Sequence, residues 1–137
     1  MSDITYDLAR IFADNPLDPR LIHPYTIDAL ERYIEHGIPP GDFLQAVLSN
    51  DLVDAVQRAD ANNQRALLAL VQYVYNEVPS DCYGNREVIE ARIRYFAIKA
   101  AAQVPGHDFT ADDVAKAFMK FQQAVVNRRR APIQEFA

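Results

Sequence analysis

Proline and glycine interrupt this chain at 16–19, 37–41, 79–84 and 105–106, and between the interruptions apolar residues recur with the period of an α-helix. Prolines in such positions end helices, because the ring removes a backbone donor and clashes with the preceding turn. Nothing alternates with strand period over a useful length. The pattern predicts an all-α fold, a compact bundle of about six helices with a rigid Gly/Pro-rich connector at 37–41.

The segments are marked at their ends. A first helix is expected from about Asp3 to Ala13, with Ile4, Leu8, Ile11 and Phe12 on one face. A second runs from Pro24, tolerated in a first helical turn, to His36, with Gly37 placed for a left-handed C-terminal residue. Residues 42–59 carry two apolar repeats separated by Ser49-Asn50-Asp51, three residues that favour caps over helix interiors. They form either one kinked helix or two. Longer helices follow at 61–78, ended by Pro79, and from Asn85 to about Val104, with Ile89, Ile93, Phe96, Ala97, Ala100, Ala101 and Val104 on its predicted inner face. The last opens at Thr110, with Asp113 three residues on as a short capping-box acid.

The 137 residues, half of them hydrophobic, suit a single helical domain over 1–137, with 131–137 a loose tail. No apolar run approaches the roughly 18 residues a membrane span needs. The acidic N-terminus is unlike a targeting peptide, and one cysteine, Cys82, fits a reducing compartment. A cytoplasmic protein without membrane partners is expected. Residues 1–81 hold 5 basic and 13 acidic side chains and residues 82–137 hold 9 and 6, balances of −8 and +3 within a net −5. Such asymmetry is first of all what uneven, solvated surface charge gives, and it also suits oppositely charged surfaces meeting within the chain or between copies. It does not suit nucleic acid, which calls for a strongly basic face.

Catalytic patterns are missing: no paired cysteines, no H-E-x-x-H, no phosphate loop with its lysine, no nucleophile elbow. His23, His36 and His107 flank helix ends, and no metal or other cofactor is expected. Cys82 precedes a helix, but without an adjacent histidine it reads as a small buried hydrophobe. Arg128-Arg129-Arg130 matches the helix-dipole preference for cations at a C-terminus.

Polar residues concentrate around the helix breaks in the middle of the chain. His36, Gly37, Gly41, Asn50, Arg58, Asn62, Arg65 and Tyr73 are the candidates for holding a small, nucleotide-like anion, since loops before helices present backbone N–H groups and Asn, Arg and Tyr supply polar contacts. Arg58 and Arg65 share a face if their helix is continuous; Asp60-Ala61-Asn62-Asn63 suggests a break. The same residues serve equally as caps.

The block from Tyr33 to Asn85 contains HGIPPG (His36–Gly41), FLQAVLSNDL (Phe43–Leu52), RAD (Arg58–Asp60) and YNEVPSDCYG (Tyr75–Gly84). It resembles an uncharacterised family of short phage and prophage proteins. The resemblance covers residues 33–85 and implies a phage accessory protein without implying an activity. By analogy such proteins counter host defence, by sequestering a nucleotide signal or by blocking a host protein. Two expectations result: a non-enzymatic homo-oligomer that binds a small anionic ligand, or a protein–protein inhibitor acting through an acidic surface (Asp14, Asp18, Glu31) or a Tyr/Phe patch. An oligomer is expected under either, because the apolar stripes exceed what one small bundle can bury.

Overall fold

The computed structural model describes residues 15–129, apart from the side chain of Arg129. The helix expected at Asp3–Ala13, the tail at 131–137, Asp14 and Arg130 lie outside the described residues. Among the described residues six α-helices run in order: α1 (Pro24–His36), α2 (Asp42–Leu48), α3 (Leu52–Arg58), α4 (Ala61–Glu77), α5 (Arg86–Ala101) and α6 (Ala111–Arg129). Short 3-10 turns at Pro19–Leu21 and Ser80–Cys82 precede α1 and α5. The described residues contain no strand.

Caps explain most of the boundaries. Asp18 caps the first 3-10 turn by accepting from the Arg20 amide at 2.9 Å. His23 caps α1, its Nδ1 accepting from the Tyr25 amide at 3.1 Å. Thr110 and Asp113 cap α6 reciprocally: the Asp113 carboxylate accepts from the Thr110 amide at 2.8 Å and the Thr110 hydroxyl from the Asp113 amide at 3.2 Å. Gly37 closes α1 in the left-handed region at φ 65°, and a Cβ there would run into the Phe96 side chain. Its conformation and its contact with α5 both call for glycine.

The segment 42–59 is two helices. Asn50 is left-handed at φ 62°, and Asp51 restarts the chain by accepting from the Asp54 amide at 3.1 Å. A second break follows at Asp60, which caps α4 through the Asn63 amide at 2.8 Å. Arg58 and Arg65 therefore stand on different helices.

Two cores are joined through α5. Leu30 and Tyr33 of α1, Leu44 and Leu48 of α2, Leu70 and Val74 of α4, and Ile89 of α5 form the larger. Val88 of α5 with Phe121, Ala124 and Val125 of α6 forms the smaller. Adjacent residues on a helix point about 100° apart, so Val88 and Ile89 feed opposite cores. The expected inner face of α5 was drawn too far along: the helix ends at Ala101, Val104 is exposed, and the buried residues are Val88, Ile89 and Arg92.

Arg92 sits between the cores and is only 7% exposed. Its Nη2 donates to the Ile34 carbonyl of α1 at 2.6 Å, and its Nη1 lies 4.0 Å from the Asp81 carboxylate. The guanidinium carbon stands 5.7, 5.0 and 5.4 Å from the ring centroids of Tyr33, Phe96 and Phe121, within cation–π reach. One side chain thus contacts α1, the Ser80–Cys82 turn, α5 and α6. Arg92→Ala should lower stability by about 2–4 kcal/mol in denaturant unfolding, from the lost charged hydrogen bond and ring contacts. Arg92→Lys should recover only part of this, because an ammonium lacks the planar fork. A wild-type midpoint in either variant would contradict the assignment.

Candidate functional site

The eight residues expected to hold a ligand are spread over several parts of the surface. Gly37 is buried and packs against Phe96. Gly41 caps the seven-residue α2, whose first residue is the acid Asp42. Arg58 is occupied by two carboxylates, Asp54 at 2.9 Å and Asp42 at 3.2 Å, and Tyr73 packs against the larger core. His36, Asn50 and Asn62 line three different depressions. Arg65 is exposed on α4 and has no ionic partner among the described residues. Asn62 and Arg65, three apart on α4, share a helix face.

The depression that takes Asn62 combines two aromatic rings with polar side chains. It holds about 200 Å³ and is lined by His23, Tyr25, Thr26, Asp60, Asn62 and Asn63. The His23 and Tyr25 rings stack with centroids 4.8 Å apart and planes 14° from parallel. Pro24 and the His23 cap hold this pair at the start of α1, and Tyr25 remains 77% exposed. The Asn62 and Asn63 amides bring donors and acceptors to the depression and Asp60 a carboxylate, while Arg65 is an exposed cation one turn further along α4.

Sequence reasoning named Asn62 and Arg65 here and missed His23, Tyr25, Thr26 and Asn63. The missing signal was that the start of α1 and the start of α4, two segments far apart in sequence, line one depression. The available one was Pro24 between two aromatic rings, since a proline at a helix start fixes its neighbours.

Arg128 also departs from expectation. It folds back to donate to the carbonyls of Ser80 and Tyr83 and lies over the Tyr83 ring. The first arginine of the triple run is therefore a structural tie to the turn before α5.

That turn carries Cys82, which is buried. Its backbone carbonyl accepts a 2.7 Å hydrogen bond from the Tyr33 hydroxyl. Burial pushes the thiol up to about 12 from an ordinary 9.0, although nearby Arg92 opposes the shift. Burial also raises the Tyr33 phenol above its ordinary 10.0. A thiol in this state is a poor nucleophile. Among the described residues, no group of three or more His, Cys, Asp or Glu side chains could hold a metal ion, and no helix is long and apolar enough to cross a membrane.

No protein-family model, curated protein or solved structure matches the chain.

Both shifted groups hold their protons more tightly in the folded chain than in the unfolded one. Their contribution to stability is complete below pH 9.0, where the unfolded thiol begins to ionise, and is lost as pH rises toward about 12. The melting temperature should therefore fall through this alkaline window, and fall less steeply in Cys82→Ala. At neutral pH a thiol reagent should label Cys82 only after unfolding; rapid labelling of the native protein would contradict the buried assignment.

Proposed function

We propose that this chain is a non-enzymatic accessory protein of phage type that binds and sequesters a nucleotide-like anion as a homo-oligomer. In this reading it acts in the host cytoplasm and counters a defence that signals through such a molecule. The observation that carries the reading is the exposed Tyr25 ring, stacked on His23 in a depression that Asn62 and Asn63 also line, with Arg65 three residues after Asn62 on α4. Stacking of a base on an aromatic ring contributes about 1–3 kcal/mol, the amides suit a base edge, and arginine suits a phosphate.

In this reading a second copy completes the site. At about 200 Å³ the depression is smaller than the roughly 300–1,000 Å³ of ordinary ligand pockets, so one copy holds only part of a nucleotide. Exposed apolar side chains on α3 and α4, namely Leu52, Val56, Leu68, Val71 and Tyr75, support association with a second copy. Their spacing, with Leu52 and Val56 four apart and Leu68, Val71 and Tyr75 three and four apart, places each set on one helix face.

That apolar face also favours the second reading, a module that docks on a host protein. The acidic-surface form of that reading loses Asp18, which is 5% exposed and paired with Arg20 at 2.7 Å.

Calorimetric titration with linear and cyclic nucleotides separates the two. Binding should weaken at least about tenfold in Tyr25→Ala and in Arg65→Ala, as expected for loss of a stacking platform or a charged contact. Both positions are exposed, so helicity and melting should stay unchanged. Full-strength nucleotide binding by both variants would overturn the site. A protein that binds no nucleotide and is captured by a host protein through the α3–α4 face would support the second reading.

A further inference from the structure

We propose that the groove between α5 and α6 is a second binding site, for a small amphipathic anion of the fatty-acid type: one carboxylate or sulfonate on an apolar body. The groove lies between helices distinct from those of the Tyr25 depression, and the inference does not depend on nucleotide binding. It encloses about 680 Å³, within the range of small-molecule sites, roughly 300–1,000 Å³. Ile98 of α5, Phe109 of the preceding loop, and Ala117 and Met119 of α6 give it an apolar lining, of which Phe109 and Met119 are exposed. A ligand would cover apolar surface that water now wets.

The charged groups specify the head of the ligand. Arg94, Lys120 and Gln123 line both this groove and a neighbouring depression bordered by Glu87 and Glu90, so they stand where the two meet. Neither Arg94 nor Lys120 has an ionic partner among the described residues. The other charges in the groove are largely engaged: Lys116 pairs with Asp112 at 3.0 Å, and Asp113 caps the Thr110 amide. Asp108 remains. Arg94 and Lys120 therefore fit a single negative charge placed between them, while Asp108 and the still-ionised Asp113 leave no cationic excess for a multiply charged head. A polyphosphate would need more cations. A nucleobase would need more than the single amide and single aromatic ring, Gln123 and Phe109, that the groove offers.

Anilinonaphthalene sulfonate, an amphipathic anion that fluoresces in apolar surroundings, serves as the probe on the full chain. One probe per chain should bind, displaced by dodecanoate but not by dodecyltrimethylammonium. The double variant Arg94→Gln, Lys120→Gln should weaken binding at least about tenfold, as loss of two charge-assisted contacts implies. Phe109→Ala should weaken it too, and Tyr25→Ala should leave it unchanged. All the substituted side chains are exposed, and circular dichroism checks that the folds match. Equal displacement by the anionic and cationic amphiphiles, or undiminished binding in the double variant, would overturn the site and place the probe on apolar surface elsewhere.

Discussion

The fold depends on one buried cation. Arg92 hydrogen-bonds the backbone of α1, faces the Asp81 carboxylate of the turn before α5, and stands among rings from α1, α5 and α6. Its Nε has no hydrogen-bond partner, and burying a guanidinium costs desolvation energy that such contacts must offset. Two neighbouring contacts reinforce the same junction. Gly37 lets Phe96 approach the end of α1, and Arg128 ties the end of α6 to the Ser80–Tyr83 turn. The Gly84 amide, donating to the Leu48 carbonyl at 2.8 Å, fastens that turn to α2.

This arrangement accounts for part of the basic excess of the second half of the chain. Arg92 is buried, Arg128 binds carbonyls, Lys116 pairs with Asp112, and Lys99 lies within 6 Å of the Tyr95 and Phe96 ring centroids. Among the described residues, Arg32, Arg65, Arg86, Arg94 and Lys120 are exposed and have no ionic partner.

Helix placement was legible in the sequence because local chemistry decides it. Pro24, Gly37, Asp51, Asp60, Asn85 and Thr110 each act where their residue type predicts a boundary. Which apolar residues enter the core was less legible. On α4, Leu68, Val71 and Tyr75 fall at helical spacing yet stay exposed, since periodicity shows an apolar face but not how much of it another helix covers. Arg92 escaped notice because a charged residue is read as outward, although its spacing from Val88 and Ile89 places it on the inner face. The candidate ligand residues divided for a related reason. Position near a break does not distinguish a capping residue or a residue bound to a neighbour, such as Arg58, from one left open, such as Arg65. That distinction requires the contacts between segments remote in sequence.

The central functional claim is that the chain assembles around a small nucleotide-like anion. Native mass spectrometry of the full chain, mixed with a panel of linear and cyclic nucleotides, tests assembly and binding together. The account predicts an oligomer carrying a fixed whole number of nucleotide molecules that are released intact and unaltered on denaturation. A monomer that takes up no nucleotide from the panel, or one that releases a cleaved product, would contradict it.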